Sequence, residues 1–308
     1  MQSDRWKRVT AGLAAMFAVN AAAPPAVATP VPSTVAAPSI QGHPALWKLS
    51  DRDTTIYLFG TIHLLPPGTK WRTRKIEEAM ARSHDLVLEV ALGDDPMKAA
   101  QVMQTMGRAT GLPPLLDRVP AAKRGELKAL FAKFGLPEGS LDGLKTWAAS
   151  IVLLGVSLTQ MGMDPSQGVE MTISKEVEQQ HKPIIGLETA EFQFGIFDHL
   201  SEDSQRTFLG GVLDDPAKMQ AEFHEMLRAW LTGDVDSIAR TFNTEENLSP
   251  ELRDLLLKKR NATWTQWLTK RLQQPGTIFV AVGAGHLAGS DSVPAMLKAK
   301  GLHIERVE

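Results

Sequence analysis

Four short β-prone runs, each carrying at or near its end a side chain able to bind a divalent cation, set the strongest limit on how this chain folds. They are IYLFGTIH ending at His63, DLVLEV containing Glu89, KPIIGLE ending at Glu188 and TIFVAVGAGH ending at His286. Nearly every residue of Leu86–Val90 is apolar, which reads as a fully buried strand. In open α/β sheets ligands sit at the carboxyl ends of the strands, so two His and two Glu delivered there predict a single cluster.

Two of the runs share one pattern, an apolar stretch followed by Gly-x-x-His-Leu: Gly60 to Leu64 and Gly283 to Leu287. Glycine permits a sharp turn, with positive φ where needed, that swings the next residues over the sheet edge. The competing reading is an imidazole that only caps a turn, and the matching contexts weigh against it for the pair. The repeated pattern also hints at an internal duplication, with the two halves meeting across the sheet. Glu89 stands inside an apolar strand, where a carboxylate is costly unless paired or bound to a cation. Glu188 precedes Thr189, where a helix begins, so it reads either as a ligand or as a carboxylate at a helix amino terminus. Glu170 follows Gly168 at the start of the predicted helix 169–180 and reads first as a cap, second as a ligand. Arg260, beside Asn261, offers a guanidinium clamp for a carboxylate or oxyanion, against the plainer reading of a solvated helical Arg.

The 308 residues are 43% hydrophobic and 22% charged, enough to bury a full core. Arg5, Lys7 and Arg8 precede an apolar stretch from Ala11 to Ala23 and an Ala26-Val27-Ala28 cleavage pattern, which predicts a signal peptide over 1–28 and export to the periplasm or medium. The stretch is shorter than a membrane anchor needs. Without Asp4, Arg5, Lys7 and Arg8, the 33 basic and 35 acidic residues become 30 and 34, a net charge of −4. That balance offers no basic footprint for nucleic acid. The chain has no Cys, so disulfides, thiolate metal sites and Cys nucleophiles are excluded, and any metal ligand is His, Asp or Glu.

Residues 29–42, rich in Pro, Ala, Ser, Thr and Val, predict a flexible tether before a domain over 43–308. The pattern predicts an antiparallel hairpin of 45–49 and 55–60 around Asp51-Arg52-Asp53, helix over 71–83, helices from about 96 to 180, strand 183–187 and helices from 189 to about 273. A strand at 277–282, a helix at 292–300 and a strand at 302–307 predict a closing compact βαβ unit. Asp94-Asp95 and Asp214-Asp215 each precede Pro and read as turn carboxylates. Ser292 before Pro294 reads as a helix start and not as a nucleophile. The expected class is α/β, a central mixed sheet with strands near both chain ends and a large helical insert.

Taken in order, Tyr57 to His63, Gly186-Leu187-Glu188-Thr189, Arg260-Asn261 with Trp264, and Val282 to Leu287 resemble the TraB/PrgY/GumN family, over about residues 43–308. That family is related to the Tiki metalloproteases and, more distantly, to erythromycin-esterase-like and ChaN-like folds. The resemblance implies a metal-dependent hydrolase site at the two Gly-x-x-His motifs, with His63, His286 and Glu89 holding a divalent ion, Mn, Co or Zn. Glu188 or Glu170 is then the proton acceptor and Arg260 the oxyanion partner, acting on a peptide or other small substrate. One departure stands out: a Glu-Gln pair is expected after Gly-Leu-Glu-Thr, and this chain has Glu191-Phe192-Gln193. Two alternatives use the same fold, a protein that sequesters a peptide or haem without turnover and a metal-free hydrolase with His as general base. The oligomeric state is not legible in the sequence.

Overall fold

Alternation along buried strands sends neighbouring side chains to opposite faces, so strands apolar at every position need a covered core on both sides. The computed structural model describes residues 41–91, 97–213, 215–243 and 250–308 and has that arrangement. The predicted signal segment 1–28, the tether up to residue 40, and Asp94, Asp95 and Asp214 lie outside the described residues.

Six strands form one mixed sheet: β1 (Leu46–Ser50), β2 (Thr54–Thr61), β3 (Asp85–Val90), β4 (Ile184–Glu188), β5 (Gly276–Gly283) and β6 (Ile304–Arg306), in the order β4-β3-β5-β2-β1-β6. β2, β5, β3 and β4 are parallel, so their carboxyl ends share one edge of the sheet. β1 pairs antiparallel with β2 through a turn in which Asp51 Oδ1 accepts from the amides of Asp53 and Thr54. The fold is α/β, as the sequence predicts.

The predicted closing βαβ unit is not compact. β6 pairs antiparallel with β1, two strands beyond β5, and the chain crosses β2 and β1 to reach it. An edge position is what a three-residue strand exposed at Glu305 and Arg306 suits. The two Gly-x-x-His strands, by contrast, are direct neighbours, with Gly60 opposite Val282 and Thr61 opposite Gly283.

Helices cover both faces. Leu46, Phe59, Leu86, Leu88, Phe279 and Ala281 pack into the larger core, beneath helices of the two long inserts. α1 (Arg74–Arg82), between β2 and β3, packs into the same core, and the inserts, between β3 and β4 and between β4 and β5, include α2 (Lys98–Met106), α3 (Arg124–Phe134), α4 (Thr146–Gln160), α5 (Val169–Gln179), α6 (Ala190–Asp198), α7 (Glu202–Val212), α8 (Pro216–Leu231) and α9 (Val235–Asn243). Phe59 stacks on Trp71 at 5.7 Å between ring centres, and Trp230 Nε1 donates to the Gly60 carbonyl at 2.8 Å. Trp71 therefore belongs to the core ahead of α1, which starts at its Thr73 cap and not at residue 71. On the other face Val87, Ile278, Val280 and Val282 meet Trp264 and Leu268 of α11 and Val293 and Leu297 of α12. α10 is Pro250–Arg253, α11 is Lys259–Arg271, and a π-helical turn, Asp254–Lys258, joins them; α12 is Val293–Ala299. No helix among the described residues is long and apolar enough to cross a membrane.

Candidate functional site

Strand parity delivers the first carboxylate. Val87 faces α11, so Glu89, two residues on, faces it too, and its side chain is buried just beyond the last paired residues of β3 and β5, Leu88 and Ala281. There the carboxylate takes over from the ladder: Glu89 Oε1 accepts from the Gly283 amide at 2.7 Å.

Arg260 of α11 fills the space between Glu89, Glu188 and His286. Its Nε donates to Glu188 Oε1 and Oε2 at 2.9 and 3.1 Å, and Nη2 donates to Glu89 Oε2 at 2.6 Å and Glu188 Oε2 at 2.8 Å. Nη1 donates to the Leu256 carbonyl, in the π turn, at 3.1 Å and lies 3.2 Å from His286 Nε2. All five guanidinium N–H groups are thus engaged, with the residue 2% exposed. The solvated-Arg reading falls, and a role as oxyanion partner would take a donor away from one of these acceptors.

Arginine only donates, so His286 Nε2 is an acceptor and its Nδ1 carries the proton. That proton goes to Asn261 Oδ1 at 2.6 Å, and Asn261 Nδ2 donates to the Asp291 carbonyl at 2.7 Å. Arg253 Nη2 holds Asp291 Oδ2 at 2.6 Å, which ties the loop after His286 to α10. Burial, then the neighbouring Arg260 charge, pushes His286 down to about 3, so it is neutral near pH 7. Its 3.7 Å approach to Glu89 Oε1 is consequently not an ion pair at that pH. Burial pushes Glu89 up, but Arg260, with His286, His63 and the Gly283 amide, outweighs it and holds the carboxyl down at about 2.

Two further side chains finish the cluster. Gln193 Nε2 donates to Glu89 Oε2 and Glu188 Oε2, each at 3.1 Å, and Trp264 Nε1 donates to Glu188 Oε1 at 2.9 Å. The departure Glu191-Phe192-Gln193 therefore still places an amide on both carboxylates, while Phe192 is exposed. Nothing local marks Gln193 for this role beyond its place four residues past the Thr189 cap. The Trp264 ring lies tilted at 42° against His286, 4.3 Å between ring centres, and 4.8 Å from the Arg260 guanidinium carbon, which assigns it to the site as well as to the core.

His63 and Glu170 form a separate pair beside this cluster. Val169 N donates to the Ile62 carbonyl at 3.1 Å, and a Cβ at Gly168 would collide with the His63 carbonyl, so only glycine lets the start of α5 seat against the turn after β2. Seating it there brings Glu170 Oε1 to 2.7 Å from His63 Nδ1, and Thr61 Oγ1 donates to the same oxygen. Glu170 thus turns back to the sheet edge and is not the helix cap. Neither Gly60 nor Gly283 is left-handed, so positive φ is not what either motif glycine supplies; at Gly60 the reason is closeness, since a Cβ there would sit 3.0 Å from Ala284 Cα, on the turn that carries His286.

A divalent ion needs several lone pairs converging at about 2.0–2.2 Å. Both imidazoles have Nδ1 engaged by an oxygen acceptor, which leaves Nε2 as the lone-pair nitrogen, the tautomer that metal ligation uses. The placement does not match. His286 Nε2 faces Arg260, Glu89 Oε2 takes Arg260 and Gln193, and among the described residues no three His, Asp or Glu group into a metal-holding set. His63, His286 and Glu89 do not fit an ion as they stand.

The profile of the TraB/PrgY/gumN family matches residues 45–306. The chain belongs to that family. It is 24% identical over 244 residues, 79% of this chain and 87% of the relative, to the uncharacterized protein YbaP of Escherichia coli (strain K12), and equally so to that of Shigella flexneri. An uncharacterized protein of Treponema pallidum (strain Nichols) is 21% identical over 294 residues, 87% of this chain and 84% of the relative. No solved structure matches the chain. Family membership spans every strand that supplies the cluster, and the names of these relatives assign no activity.

Proposed function

We propose that this protein is a hydrolase of acyl substrates, peptides first among them, with His63 as the general base. The observation that supports the reading is the His63–Glu170 pair with Thr61 at the carboxyl edge of the sheet. These two side chains are 10% and 15% exposed, while those of Glu89, Glu188, Arg260 and His286 are 6% or less. Glu170 orients the imidazole and stabilises the imidazolium after His63 takes a proton from water. Glu89, Glu188, Arg260 and His286 form a fixed charged wall behind it. We further propose export, on the basic and apolar start of the chain and its small-residue cleavage pattern, with no nucleic-acid partner given the acidic balance.

A metal-dependent form of this hydrolase, with His63, His286 and Glu89 as ligands, is favoured by the Nδ1-protonated state of both imidazoles and requires Arg260 to leave His286. The test is cleavage of a mixed peptide library by the full chain, read by mass spectrometry with and without chelator. Cleavage that survives chelator and falls about 100-fold or more in His63→Ala supports the general-base reading. Cleavage lost in chelator and restored by Mn²⁺, Co²⁺ or Zn²⁺ selects the metal-dependent form. Tight retention of a peptide or haem with no product rejects both in favour of sequestration.

A further inference from the structure

The resemblance implies a divalent ion at the Gly-x-x-His motifs, and the fixed guanidinium disagrees with it. We propose that Arg260 is the resident cation of this site: it occupies the place between Glu89, Glu188 and His286 that an ion would take, and it excludes one. Two carboxylates and an imidazole nitrogen converge on it, the donor types that a zinc or manganese ion selects. A guanidinium meets the same electrostatic need with five directed N–H bonds and cannot be deprotonated near neutral pH. Its anchorage is redundant. Leu256 holds Nη1 from the π turn just before α11, Gln193 ties the two carboxylates to each other, and the Trp264 ring lies 4.8 Å from the guanidinium carbon and donates to Glu188. Displacing it would leave a buried positive charge without partners beside the incoming dication. The guanidinium also sets the proton on His286, because it accepts nothing and forces Nε2 to accept.

This assignment is independent of turnover, since its readout is ion content. The full chain, Arg260→Ala and Arg260→Gln are each equilibrated with Mn²⁺, Co²⁺ or Zn²⁺, desalted, and measured by elemental mass spectrometry, with circular dichroism as the check on folding. The parent is expected to retain under about 0.1 ion per chain and a folded Arg260 variant about one, with a cobalt d–d absorption that Glu89→Gln in the same background removes. Arg260→Gln keeps two amide donors for the carboxylates and is the variant to rely on if Arg260→Ala does not fold. Near-stoichiometric ion in the parent, lost in Glu89→Gln, would overturn the proposal. So would a folded Arg260 variant that takes no more ion than the parent, because the guanidinium would then hold no ion's place. If neither variant folds, the parent's ion content decides alone.

Discussion

At the residue scale, Glu188 is the acceptor on which the buried wall depends. It takes three contacts from Arg260, one from Gln193 and one from Trp264, so its loss strands more donors than the loss of any other carboxylate here. Removing Glu188 leaves Arg260 charge-paired with Glu89 but strands the Arg260 Nε and Trp264 Nε1 donors in a buried site, at about 1–3 kcal/mol each, or about 2–6 kcal/mol together. Glu188→Ala is therefore expected to lower the urea-unfolding free energy by that amount. Glu188→Gln, which keeps one acceptor oxygen, costs less. A loss under about 1 kcal/mol in Glu188→Ala, the scale of an exposed pair, would mean that water reaches Arg260 and that the wall is not closed.

At the element scale, the placement of α5 decides whether His63 has a partner. Gly168→Ala pushes a methyl group into the His63 carbonyl and must displace either α5 or the turn after β2. Gly155, inside α4, has no atom within 4 Å of the position a Cβ would take. Thermal unfolding is the comparison: Gly155→Ala is expected to stabilise by about 0.5–1 kcal/mol and Gly168→Ala to destabilise, together with loss of any His63-dependent cleavage. A Gly168→Ala protein as stable as the parent would show that the seat of α5 is loose. The same two elements show how much was legible in the sequence. The strands and the residues ending them were, because apolar runs and their last polar residue are local patterns, and so was the helix predicted over 71–83 apart from its start, which lies at the Thr73 cap. The partner of Glu170 was not, because a helix-start carboxylate has the same local pattern whether it caps its helix or turns back to a strand 109 residues earlier. Nor was the place of β6, since a short strand after a short helix reads as a neighbour of the strand before it, whereas antiparallel pairing with β1 depends on an edge only the assembled sheet provides. Arg260 was legible as a residue of interest, but the saturation of all its donors was not, because its acceptors come from β3, β4, the π turn and the turn after β5.

At the scale of the whole molecule, burying His286 neutral links stability to pH. Its folded value lies well below the ordinary 6.5, at about 3, so as pH falls through 6.5 the unfolded chain takes up a proton that the folded chain refuses. Stability from this residue is complete above about pH 6.5 and is lost progressively down to about pH 3. Glu89, lowered from 4.5 to about 2, has the same sign in a lower window: its contribution is present above 4.5 and lost between there and 2. Between pH 7 and pH 5 the His286 effect acts without that of Glu89, and one proton across that interval amounts to about 2 kcal/mol. The measurement is urea unfolding of the parent and of His286→Asn at pH 7, 6 and 5. The variant is expected to be the less stable protein at pH 7, since Arg260 Nη1 and Asn261 lose their fitted partner, and the gap to the parent is expected to narrow by about 2 kcal/mol by pH 5. Parallel curves would mean that His286 carries a proton in the folded state. A charged imidazole cannot accept from Arg260, so that outcome would also undo the arrangement in which the guanidinium serves as the cation of the site.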